Sequence, residues 1–172
     1  MQSAPAKRRW RLRAAPAAER SAGILPAGST LAIEAPLLRQ LHEDWQARRR
    51  GRPLPARADF DPIDLKYVLG KLLLVDVLRE PLQFRFRLVG TELVKHSGVD
   101  LTGRTLDDYP DPEYREFMRQ LYTAAVTAQR PLSSIQTRLI LDGRLRRYEA
   151  LLLPLAGDGV TIDMLMIGIV YL

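Results

Sequence analysis

The chain has 172 residues, 47% of them hydrophobic and 27% charged, which fits one globular domain with a core of its own and excludes a disordered or fibrous chain. It contains no cysteine, so disulfides, thiolate nucleophiles, cysteine-ligated zinc, covalent haem attachment and cysteinyl-flavin photochemistry are all excluded, and a cytoplasmic location is expected. The formal net charge of +6 is unevenly placed: residues 1–33 hold Lys7, Arg8, Arg9, Arg11, Arg13 and Arg20 against Glu19, six cations to one anion, and the remainder is close to neutral.

Pro5, Pro16, Pro26, Gly23 and Gly28 punctuate an alanine-rich beginning. Residues 1–33 are therefore expected to be a disordered basic tail, and residues 34–172 one folded domain. A helix is expected over 34–50, where Leu37, Leu38, Leu41 and Trp45 fall at helical spacing and Arg48, Arg49 and Arg50 suit the C-terminal dipole before Gly51. The prolines at 53, 55 and 62 make the next stretch an extended linker. Asp61 and Pro62 then suit the cap and first position of a short helix running to about residue 69.

Residues 71–79 form an apolar strand interrupted by Asp76, and 83–89 a second strand alternating Phe84, Phe86 and Leu88 with Arg85 and Arg87. Thr91 is placed to cap a short helix ending at Gly98, and an Asp-rich loop leads to a longer helix over 113–129. Three strands follow at 133–141, 144–155 and 161–172, joined by Asp142-Gly143 and Gly157-Asp158-Gly159. No apolar stretch reaches the ~20 residues of a membrane-spanning helix. The expected fold is α+β: a five-stranded antiparallel sheet with helices on one face and an N-terminal helix.

This order of elements resembles the PAS domain. Gly98-Val99-Asp100-Leu101-Thr102-Gly103-Arg104-Thr105-Leu106 is similar to the helix-loop segment of many PAS domains. Trp45, Arg50-Gly51-Arg52, Leu54-Pro55, Arg57-Ala58-Asp59, Asp61-Pro62, Leu65, Asp76-Val77, Phe84-Arg85-Phe86-Arg87 and Leu88-Val89-Gly90-Thr91 together look like a family of bacterial stand-alone PAS-like proteins, as does Leu153-Pro154-Leu155. The resemblance implies a sensory or protein-interaction role and supplies no catalytic residues.

No nucleophile elbow, paired metal-ligating histidines or phosphate-binding Gly-rich loop is present, so neither a catalytic residue nor a metal site is assigned, and no cofactor is named. Asp59, Asp61, Asp107, Asp108 and Asp111 read as caps and turn formers. His96 reads as a helix-terminal residue, and His42 is a weaker ligand candidate still. Asp76 needs a partner if buried, with Arg85 or Arg87 in reach across the strands.

By alternation and helical phase, Phe84, Phe86, Phe117, Leu121, Tyr122, Met164 and Met166 are the expected lining of a ligand pocket, and the same pattern describes a packed core. The last strand is apolar on both sides, so its other face needs a cover. The stripe of Leu37, Leu41 and Trp45 can provide it, from the same chain or from the partner in a homodimer. The preferred reading is a sensory or regulatory module that binds a small molecule or a protein partner, with the output carried in trans because the sequence stops within its last strand. Two rivals are a nucleic-acid-associated protein using the tail and Arg48 to Arg52, and a small pocket enzyme if Asp76 lies inside the pocket; nucleic acid is not the expected partner.

Overall fold

The computed structural model describes residues 31–140 and 142–172. The basic tail lies outside the described residues except at 31–33, where Leu31 and Ile33 pack half-buried against the core. Strands β1 (Leu72–Leu78), β2 (Gln83–Val89), β3 (Leu132–Leu139), β4 (Leu145–Leu155) and β5 (Met164–Tyr171) form one sheet in the order β2-β1-β5-β4-β3. Every neighbouring pair is antiparallel. The first and last strands thus meet in the middle, and α2 (Thr91–Ser97) and α3 (Pro112–Ala128) fill the connection between β2 and β3. The expected α+β architecture is the one observed.

Helix α1 spans Pro36–Arg48, shorter than the expected 34–50. Proline occupies its first turn, where the missing N–H costs no bond, and Arg50 at φ 50° has already left helical geometry. The short helix expected after Pro62 does not form. That segment makes successive i→i+3 turns, such as Asp64 N–H to the Asp61 carbonyl, and ends in a 3-10 turn at Leu69–Lys71.

Gly90, and not Thr91, is the N-cap of α2. A Cβ on Gly90 would lie 2.4 Å from the Gly70 carbonyl oxygen, so two backbone segments cross there at a distance only glycine permits. After α2 the chain returns along the outer edge of β2: Gly103 N–H donates to the Phe86 carbonyl and Phe86 N–H to the Arg104 carbonyl. The Gly98 to Leu106 segment therefore protects a sheet edge and anchors itself by burying Leu101 and Leu106.

The two faces of the sheet meet different layers. Helix α3 packs on one, and α1 crosses β4 and β5 on the other. Gly168 of β5 lies directly beneath α1, and a Cβ there would sit 2.7 Å from Leu38 Cδ2 and 2.8 Å from Leu41 Cδ2. Glycine in mid-strand lets the helix approach the sheet closely.

Candidate ligand pocket

Alternation along the strands assigns each side chain to a layer. Leu73 of β1, Tyr148 and Ala150 of β4, and Ile167, Ile169 and Tyr171 of β5 face α3 and help to enclose a cavity of about 70 Å³. Leu93 and Ser97 of α2 and Tyr114, Phe117, Leu121 and Tyr122 of α3 form further walls, with Tyr109 from the loop before α3 and Arg138 from edge strand β3. Asp111 holds the start of α3 in place by accepting from the N–H groups of Glu113 and Tyr114.

The polar part of this cavity is unusual. The chain has six tyrosines, and all but Tyr67 are in its wall. The hydroxyls of Tyr114 and Tyr148 are hydrogen-bonded at 2.7 Å. The Arg138 guanidinium lies 4.1 Å from the centre of the Tyr114 ring and 5.4 Å from that of Tyr109, and it donates to the Tyr109 hydroxyl. Cation–π attraction to two rings gives this arginine a semi-apolar seat. His96 packs at 4.3 Å, centroid to centroid, against the Tyr171 ring.

Burial disfavours charge on four of these phenols and on Arg138. It raises the phenols of Tyr114, Tyr122 and Tyr171, pushes Tyr148 up to about 12, and lowers the Arg138 guanidinium from its ordinary value. A phenol whose folded-state value is raised stabilises the fold fully below its unfolded value of about 10 and loses that contribution above it. Stability is therefore expected to fall as pH climbs from about 10 through the Tyr148 value of about 12. In an absorbance titration the cavity phenolates should form together with loss of circular dichroism. Complete phenolate formation with the fold intact would refute this.

Of the residues expected to line a pocket, Phe86, Phe117, Leu121 and Tyr122 do so. Phe84 is buried and meets Tyr122 edge-on at 5.4 Å without reaching the wall. Met164 and Met166 are buried on the other layer, in phase with Gly168 beneath α1, because the cavity-facing set of β5 is Ile167, Ile169 and Tyr171. Leu41 and Trp45 are buried against the chain's own sheet and Leu37 is half-buried beside them. Trp45 Nε1 donates to the Pro154 carbonyl at 2.9 Å.

One buried acid escapes the sequence reading. Glu149 of β4 is wholly inaccessible, and its carboxylate accepts from the Glu34 N–H at 3.0 Å, the Ala35 N–H at 2.8 Å and the Ser133 hydroxyl at 2.8 Å. It thereby does from a distant strand what a capping side chain would do for α1, whose own N-cap Ala35 has none to offer.

Asp76 lies outside the cavity. It is 4% exposed and bridges Arg85 at 3.0 Å and Arg87 at 2.8 Å, the cross-strand pairing expected of it, here with both partners. Four of the five linker acids act as turn and cap formers, Asp111 as above, Asp59 accepting from the Ala56 N–H, Asp61 from the Ile63 N–H and Asp108 from the Thr105 N–H, whereas Asp107 accepts from the side chains of Gln83 and Arg119. Arg48, Arg49 and Arg52 are engaged within the chain, by Asp44 and Asp64, by the Trp45 ring, and by Asp59. Among the described residues no cluster of three or more histidine, aspartate or glutamate side chains is placed to hold a metal ion, and no helix is long and apolar enough to cross a membrane.

The sequence profile of the PAS domain family matches residues 33–170. Among solved structures the chain is similar to one titled "Structure of an RNA-binding Light-Oxygen-Voltage Receptor", with 13% sequence identity and a TM-score of 0.45. The alignment covers 88% of this chain and 39% of that one, so the chain spans well under half the length of that receptor. No curated protein matches the sequence.

Proposed function

Since the chain belongs to the PAS domain family, we propose that it is a sensory module in which a small molecule held between the sheet and α3 alters a surface read by a separate partner protein. The observation that carries this reading is the cavity of about 70 Å³, whose walls come from every strand and from α2 and α3. A molecule inside it touches the elements whose mutual packing defines the fold, so binding can shift the populations of two packings. The site offers no nucleophile with a base, and we propose a cytoplasmic, non-catalytic role.

Neither rival gains from the geometry. The enzyme reading needs Asp76 inside the pocket, and this acid is on the opposite side with two arginines. The nucleic-acid reading draws on the basic tail, residues 1–30 of which lie outside the described residues, and on Arg48 to Arg52, of which Arg48, Arg49 and Arg52 have partners in the chain. A homodimer needs a surface other than the α1 stripe, because Leu41 and Trp45 are already buried against the chain's own sheet; sedimentation across a concentration range measures it.

The test of the pocket is a thermal-shift panel of small apolar and amphipathic molecules, with native mass spectrometry of the protein as purified. Ala150 lines the cavity and is 4% exposed, so Ala150→Leu should fill part of it. A molecule retained by, or stabilising, the natural chain and rejected by Ala150→Leu supports the reading. No retained molecule and no stabilisation by any member of the panel would sink it.

A further inference from the structure

The cavity contains a cation with no anion. Arg138 belongs to no ion pair among the described residues, and its neighbours are the Tyr114 ring, the Tyr109 ring and the Tyr109 hydroxyl. Arg138 is half-buried; tyrosine hydroxyls and ring faces hold its guanidinium in position but do not neutralise it, and a charge partly withdrawn from water is costly until an opposite charge meets it. A guanidinium has five N–H donors in a planar fork that fits the two oxygens of a carboxylate. One donor is accounted for by the Tyr109 hydroxyl.

We propose that the cavity takes a small organic monocarboxylate, its two oxygens on Arg138 and its short hydrocarbon body against Leu93, Leu121 and Ile167. This rests on the small-molecule reading of the cavity given above and names its ligand class. The remaining lining restricts the choice further. Arg138 is the sole cation in the wall and no carboxylate is there, which suits a single negative charge and not a phosphate or a dicarboxylate. The apolar side chains in the rest of the lining suit a short alkyl body. The volume of about 70 Å³ is roughly half the ~150 Å³ that admits benzene in an engineered apolar cavity, so the acid should be short.

The experiment compares acetate, propionate and butyrate with their neutral amides, acetamide, propionamide and butyramide. It uses the full chain, at constant ionic strength, and follows thermal shift and chemical-shift perturbation. At least one acid is expected to stabilise the fold and perturb cavity resonances, while its amide binds about tenfold or more weakly, as loss of a charge-assisted bond implies. Arg138→Gln should lose the preference for the acid over the amide. If that variant does not fold, Arg138→Lys keeps the charge without the fork and should retain only part of the preference. Equal binding of acid and amide, or an acid preference that survives in Arg138→Gln, overturns the carboxylate assignment while leaving a neutral-ligand pocket intact. Failure of all six compounds in the natural chain also overturns it, and the broader panel above then decides separately whether the cavity binds anything.

Discussion

Trp45→Ala is expected to destabilise the protein by about 3–5 kcal/mol, the usual cost of deleting a large buried aromatic side chain, and to loosen α1 first. Trp45 is 2% exposed and fixes the C-terminal half of α1 to β4 by its Nε1–H bond to the Pro154 carbonyl. Its outer surface carries Arg49, 5.6 Å above the ring, and the stacked His42 ring. Trp45→Phe separates the contributions. It keeps most of the apolar area and should cost the hydrogen bond and part of the volume, about 1–2 kcal/mol. Without the indole, α1 should open before the sheet does, exposing Leu38, Leu41 and the β5 surface around Gly168 that they cover. Such an apolar patch promotes association, so the alanine variant should also gain mass with concentration in sedimentation. A variant that sediments like the natural chain at every concentration, loses under 1 kcal/mol and keeps α1 amides protected from hydrogen exchange would show that α1 is not what closes this face.

The architecture is legible in the sequence where a period is unambiguous. Phe84, Arg85, Phe86 and Arg87 alternate cleanly, and β2 is found at the expected residues, 83–89. Asp76 in an apolar strand demands a basic neighbour, and the register supplies it by pairing Asp76 with Arg85. Where both faces are apolar, alternation sorts residues into two sets without saying which set meets which layer. The methionines of β5 fall on the α1 side for that reason, and Gly168 is the signal that would have settled it, because glycine in mid-strand marks a close approach.

The polar part of the cavity is harder to read. Tyr109, Tyr114, Tyr148, Tyr171 and Arg138 come from a loop, one helix and three strands, and each has the local pattern of a half-exposed residue. Arg138 lies in a strand of serine, glutamine and threonine that reads as a solvated edge. Only the strand order, which puts β3 beside β4 and places α3 across them, brings the five together.

Glu149 tests whether a single side chain on the sheet sets the position of α1. Replacing it with leucine removes the acceptor for the Glu34 and Ala35 N–H groups and for the Ser133 hydroxyl. It leaves donors in a buried site without a partner, and each such group costs about 1–3 kcal/mol. Because Glu34 is exposed and its N–H can turn toward water, we expect a net loss of about 3 kcal/mol, near the low end of the combined figure. Glu149→Gln keeps one carbonyl oxygen, which can accept from Ala35 N–H, and replaces the second acceptor by a donor facing another donor. It should cost about half as much as the leucine. Ser133→Ala alone removes one donor, leaves both backbone bonds in place and should cost about 1 kcal/mol. Denaturant midpoints at unchanged slope measure these differences, and hydrogen exchange at residues 34–39 locates them. If leucine is tolerated as well as glutamine, apolar packing by Leu38, Leu41 and Trp45 holds the helix without help, and the buried carboxylate has no part in placing it.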